Sequence, residues 1–317
     1  MRVPLPAAMI TMSSAMRRPS FVRGPIIGGA RALAAWLLVV CLALLAGCSL
    51  LRLTYPQLPT IVYWWLDGYV DFTIAQGPRV QEQLAGWLRW HRATQLPDYA
   101  ALLQRARAEL LVNTTPAQVC RWVDEGAARL LTAYEQAVPA AAETLLALTP
   151  AQMDHMERRF EKSNADFRDD FLQPSAEARL KQSVKRTVER AEMLYGRLDD
   201  AQRDLVARQV AASPFDPERW LAERQLRQRD MLATLRRLHA ERAGSEQMQA
   251  ALRVFAEQAQ RSPRPPYRAY QQRLKQFNCE FAAQLHNATT PAQRQAAADT
   301  LKGWEADLRV LAAEATR

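Results

Sequence analysis

The chain is poor in the residues on which most catalytic and metal chemistry rests: 317 residues hold only 4 histidines, 4 cysteines and 11 glycines. The histidines, His91, His155, His239 and His286, stand in no HExxH or other ligand spacing. No CxxC, no GxSxG and no glycine-rich phosphate loop occurs either. These absences point to no cofactor and no metal, and they set the expectation of a protein that is not an enzyme. Strand signals are missing as well. No stretch alternates apolar and polar residues with period two between turn signals, so no sheet is expected. Nucleic acid is not expected as a partner, because 42 basic and 33 acidic residues leave only a mild excess of +9, and a nucleic-acid binder needs a clustered basic face. Setting aside the five arginines of residues 1–31 lowers that excess to +4.

What is present begins with a targeting pattern. Arg2, Arg17, Arg18, Arg23 and Arg31 precede an apolar run from Ala32 to Ala46 with no acid among them. A positive stretch followed by a short apolar one is the pattern of a secretory signal. The run is also shorter than the roughly 20 apolar residues that a spanning helix needs. It closes in Leu45-Ala46-Gly47-Cys48, and here the chain resembles bacterial lipoproteins, whose lipobox is Leu, a small residue, Gly or Ala, then Cys. In that family the cysteine is acylated and becomes the first mature residue. The resemblance implies a signal peptide over residues 1–47, lipidation at Cys48, a lipidated N-terminus and tether over 48–59, and a helical periplasmic domain over 60–317. Ser49 in the following position implies the outer membrane, with the chain on its periplasmic face. Acyl chains bind membranes at about 0.8 kcal/mol per buried CH₂, so the membrane partner is reached without help from the aromatics downstream.

With Cys41 in the signal and Cys48 acylated, Cys120 and Cys279 remain. The oxidising periplasm allows them to form a disulfide. On helical spacing, however, Cys279 falls nearly opposite the stripe of Phe277 and Phe281, so the sequence leaves the pairing open.

One period runs through the rest, and it is helical. Tyr267, Tyr270, Leu274, Phe277, Phe281 and Leu285 recur in steps of three and four, as do Ala297, Leu301, Trp304, Leu308 and Leu311. Met153, Met156, Phe160, Phe167 and Phe171 repeat the pattern, and so do Leu180, Val184, Val188, Ala191, Tyr195 and Leu198. The tetrapeptide TPAQ occurs at Thr115, Thr149 and Thr290, and its Thr, Pro and Gln suit the N-cap, N1 and N3 positions of a capping box. Asp199–Gln202 is a relative of it, and Asp216-Pro217-Glu218 offers another start. Unequal spacing of these boxes argues against a solenoid. Gly77-Pro78, Leu96-Pro97, Ser213-Pro214 and the proline-rich 262–268 stretch read as loops, with 213–217 as the one plausible hinge. The expected fold is an all-α, elongated or curved bundle of about ten helices in a single domain.

The segment YWWLDGYVDF, Tyr63–Phe72, places Ile61, Trp65, Tyr69 and Phe72 on one helical face and is expected to be mostly core. Asp67 and Asp71, four apart, are the only carboxylate pair that suggests glycan cleavage, a distant third reading. Together with Trp90-His91-Arg92, Leu96-Pro97-Asp98-Tyr99 and Leu148–Gln152, this segment resembles a family of Gram-negative lipoproteins known as domain of unknown function 6279. That resemblance implies an all-helical, membrane-anchored periplasmic protein and carries no activity. Leu148–Gln152 also fits the LTxxQ motif of periplasmic chaperones of the Spy and CpxP kind, which Leu198–Gln202 approaches. This gives the alternative reading, an ATP-independent chaperone or envelope-stress protein. The favoured reading is a non-enzymatic binding or scaffold protein of the cell envelope, with another envelope protein or peptidoglycan as partner. Arg224, Arg227, Arg236 and Arg237, with Trp64 and Asp67, are the candidate partner-binding residues, since arginine forks hold carboxylates and phosphates. Asp154, His155 and Glu157 form an acid–base trio in sequence only, because adjacent helical residues point in different directions.

Overall fold

The computed structural model describes residues 50–314, and among them every regular element is a helix. After a leading turn of helix at Leu50–Thr54 and Tyr55–Gln57 come α1 (Leu58–Val70), α2 (Gly77–Trp90), α3 (Leu96–Glu109) and the long α4 (Pro116–Leu146). Then follow α5 (Pro150–Phe171), α6 (Ala176–Tyr195), α7 (Asp200–Ala211), α8 (Pro217–Ala240), α9 (Ser245–Gln260), α10 (Pro265–Asn287) and α11 (Pro291–Ala313). The signal, Cys48 and Ser49 lie outside the described residues.

The helix starts follow from the sequence. Thr115, Thr149 and Thr290 each accept a hydrogen bond from the N–H of the glutamine three residues on, and each glutamine side chain accepts from the threonine N–H. Asp199 and Gln202 do the same for α7, and Asp216 caps α8 by accepting from Arg219 N at 3.0 Å. One expected break is absent. Leu96-Pro97 does not interrupt the chain's helical path, because α2 runs into α3 through a wider turn at His91–Gln95 of the π type. Proline at the start of a helical segment loses only an N–H that such a start leaves free.

Three of the five hydrophobic clusters among the described residues do most to tie the helices together. Val138 of α4, Met153 and Met156 of α5, Leu235 of α8 and Met248 of α9 share the largest, against which Tyr69 and Phe72 pack. Phe281 and Leu285 of α10 meet Leu198 and Val206 beside α7. The third joins Leu96 and Ala100 of α3 to Leu308 and Leu311 of α11, and it includes Tyr55. Residues 50–57, expected as tether, are therefore folded: Tyr55 is 3% exposed, and Arg52 Nε stands 2.7 Å from Asp307 Oδ1. The aromatic segment is less buried than expected. Val70 alone is fully buried, Tyr69 and Phe72 line the core, Trp65 is half-buried, and Ile61 and Trp64 face solvent. Tyr63 stacks on Phe72 and lies across Gly77, where an added Cβ would come within 2.8 Å of the phenol oxygen. Leu180 and Trp304, counted on apolar stripes, are exposed as well.

The capping glutamines do more than cap. Gln152 Nε2 donates to Asp71 O at 2.9 Å, while Gln76 Nε2 donates to Ala147 O at 2.8 Å, and the two amides also touch each other. Gln202 and Gln293 repeat the arrangement, donating to Ala288 O and Arg197 O, both at 2.9 Å. In each case the amide reaches the carbonyl two residues before its partner's N-cap threonine or aspartate, since Thr73 and Gln76 also exchange capping bonds. Two helical hairpins are thus clasped reciprocally at two places in the molecule, α1–α2 to α4–α5 and α6–α7 to α10–α11. Gln152 is 5% exposed and Gln202 2%. Gln152→Leu is expected to cost about 2–4 kcal/mol, because it strands the Asp71 carbonyl and a cap N–H together. Gln118→Leu, in the same tetrapeptide but without a clasp, is expected to cost only about 1 kcal/mol. Urea titrations of the two variants check the difference.

Cys120 of α4 and Cys279 of α10 are bridged, with Cα atoms 5.4 Å apart across 159 residues of sequence. Cys279 is 1% exposed. It lies off the α10 stripe that meets α7 because α10 also packs on α4, which needs a second inward face.

Candidate functional site

The histidines are engaged in holding the fold. His286 Nε2 donates to Val112 O at 2.8 Å, which leaves Nδ1 to accept from the Tyr195 hydroxyl at 2.9 Å. His239 Nε2 donates to Leu145 O and His155 Nε2 to Gly68 O, while His91 Nδ1 and Tyr55 Oη are hydrogen-bonded at 2.9 Å. Burial pushes His91 down to about 4 and lowers His286 in the same sense. The Asp154–His155–Glu157 trio separates: both carboxylates accept from Arg236, at 2.9 and 2.7 Å, while the ring turns to α1. Asp67 is spent on the end of α1, where it accepts from Phe72 N at 2.9 Å, and Asp71 supplies the left-handed residue that closes the helix. Among the described residues, no group of three or more His, Cys, Asp or Glu could hold a metal ion.

The four arginines of α8 do not form one solvent-facing stripe. Arg236 is held by its two acids and Arg237 pairs with Glu241 at 2.8 Å. Arg227 is half-buried, and Arg224 is only 3% exposed. The reason is that α8 is packed between α5 and α9, so the face carrying Trp220, Arg224 and Gln228 points inward. Sequence spacing contained this signal, since Arg224 stands four residues from Trp220 and in step with Leu221, Gln228 and Leu235 on a buried stripe.

Where that face meets α5 and α1, polar groups collect without partners. Arg224 Nη2 donates to Ser163 Oγ at 2.7 Å, and its guanidinium lies 5.5 Å from the Trp220 ring centre. Arg224 has no ion pair within 4 Å, and its buried Nε has no hydrogen-bond partner. Burial lowers its affinity for its own proton from the usual arginine range. One turn along α5, the Arg159 guanidinium lies 5.3 Å from the Tyr69 ring centre, and its Nε is likewise unpartnered. Trp65 packs on the same Tyr69 ring, 5.1 Å between centres, with its buried indole N–H unmatched. Asn164 donates to Gln228 Oε1 at 2.8 Å and leaves its own Oδ1 unmatched. Of six buried side-chain atoms without a hydrogen bond among the described residues, four lie along this seam. Leaving such a group unmet costs about 1–3 kcal/mol, so the seam is where the polar groups of the fold are least satisfied. An open groove of about 820 Å³ between α4 and α9, lined by Trp90, Leu131, Pro139 and Arg253, shows no such cluster.

The sequence model of a family of unknown function, DUF6279, matches residues 68–268. The chain belongs to that family. The DUF6279 match takes in the Trp90-His91-Arg92 and Leu96–Tyr99 segments, Leu148–Gln152, and α5 and α8 with Arg159 and Arg224. It begins inside the aromatic segment, so Trp64 and Trp65 precede it, and it ends within α10. No curated protein and no solved structure matches the chain.

Proposed function

We propose that the chain is a lipid-anchored protein on the periplasmic face of the outer membrane that binds an envelope partner without catalysing a reaction. The observation that carries this reading is an uncharged stripe beside the anchor. From Leu53 to Leu66 the sequence has no charged residue, and Leu53, Ile61 and Trp64 stand 63%, 36% and 65% exposed on the helical path that starts two residues after Cys48. Trp and uncharged apolar residues suit the boundary between headgroups and water. No helix among the described residues is long and apolar enough to cross a membrane. Engagement of every histidine ring in the fold, and of Asp67 in a helix end, supports binding over catalysis. The chaperone alternative rests on LTxxQ, whose glutamines here close the clasps, and no feature of the geometry favours it.

Labelled palmitate is expected to enter the wild-type chain in cells and to be absent from Cys48→Ala. The variant is also expected to leave the outer-membrane fraction. A wild-type chain that stays soluble without detergent and takes up no label overturns the anchor.

A further inference from the structure

We propose that the seam where α1, α5 and α8 come together is a binding site for a phosphate-type oxyanion, with Arg224 and Arg159 as counter-charges and the Trp65 indole as a third donor. This deepens the binding reading and does not depend on the lipid anchor.

Three buried N–H groups from three helices have no acceptor: Trp65 Nε1 from α1 and Arg159 Nε from α5, whose side chains both pack on the Tyr69 ring, and Arg224 Nε from α8, whose guanidinium lies over Trp220 and bonds Ser163 one turn along α5 from Arg159. The charges around Arg224 do not neutralise it. Asp166 is an attractive neighbour at longer range, Arg227 is a repulsive one, and the adjacent Glu223 points the other way, accepting from Ser262 Oγ at 2.7 Å and pairing with Arg264 at 3.1 Å. A guanidinium that is 97% buried without a carboxylate is uncommon, because removing a charge from water is costly unless a partner restores the interaction. Planar forks with free N–H groups match the oxygens of a phosphate or carboxylate. The buried and unmatched Asn164 Oδ1 adds an acceptor, which suits a ligand carrying a hydroxyl of its own, as hydrogen phosphate does. Burial of Arg224 restricts the ligand to one whose anionic head passes between the helices, whether a free phosphate or the phosphate of a lipid headgroup.

The test is thermal melting of the full chain in detergent, with inorganic phosphate, acetate, or a soluble short-chain phosphatidate added at matched ionic strength. The expected result is a rise in melting temperature with phosphate that saturates, and that is not reproduced by sodium chloride. A larger rise with the phosphatidate assigns the headgroup as the source, an equal one the free anion, and a larger rise with acetate replaces phosphate by carboxylate and overturns the ligand class. Arg224→Met is expected to melt at or above the wild-type temperature without ligand, since it removes an uncompensated charge, and to lose the phosphate response. Trp65→Phe keeps the ring and is expected to weaken apparent affinity about tenfold. If Arg224→Met is strongly destabilised without ligand, the arginine is a structural element and the proposal falls. It falls equally if phosphate acts on wild type and on Arg224→Met alike, or on neither. Failure of palmitate labelling alone leaves this result untouched, so the two readings are separately refutable.

Discussion

Replacing Cys120 and Cys279 together by alanine is expected to be among the most damaging changes this chain accepts in a short list of substitutions. The bridge ties α4 to α10 across 159 residues, so in its absence the unfolded chain regains the entropy of a very long loop. The chain-entropy relation puts that at roughly 5 kcal/mol, toward the top of the usual range for native disulfides. Urea unfolding with and without a reducing agent measures it. The oxidised wild type should unfold at clearly higher urea than either the reduced protein or the double variant, and the latter two should coincide. A double variant within about 1 kcal/mol of oxidised wild type would show that the unfolded chain is already held compact by other means. Such a pair stays closed in an oxidising compartment.

A second large effect is expected from mild acid. His91 sits among Tyr55, Trp87 and Tyr99, and burial holds its folded pKa at about 4 against 6.5 in the unfolded chain. A folded pKa below the unfolded one means that the unfolded state takes up the proton first. Stability is therefore complete above pH 6.5, declines as pH falls from 6.5 to 4, and levels off below 4 as far as this group is concerned. The full shift corresponds to about 3 kcal/mol, and partial exposure of the ring reduces the expected loss to the order of 2 kcal/mol. His286 is displaced in the same direction by burial and adds to the decline. Melting curves at pH 7.5, 5.5 and 4.5 should show it. His91→Asn, which cannot titrate, should flatten much of the fall between 6.5 and 4, and an unchanged pH profile would assign the loss to other groups.

Much of the fold was legible because its signals are local. TPAQ specifies a helix start by chemistry within four residues, and Thr115, Thr149 and Thr290 open helices as read. The stripes of α10 and α5 were legible for the same reason, since burial on one face imposes the 3.6 period. What the sequence did not reveal depends on distant partners. Gln152 and Gln293 look like ordinary capping residues until a second hairpin brings Asp71 O or Arg197 O within reach. Cys279 is off the α10 stripe that meets α7, and only the packing of α10 on α4 as well brings it to Cys120. Arg224 stands in the sequence as a candidate partner-binding residue within a run of charges. Its step with Trp220 and Gln228 held the contrary signal, which only the position of α8 between two helices makes decisive.

The docking of Tyr55 and Arg52 onto the last helix has a mechanical consequence. A load that reaches Leu50 is delivered within a few residues to Asp307 and to the seam between α3 and α11, so the first turn and the last helix answer to it as one lever.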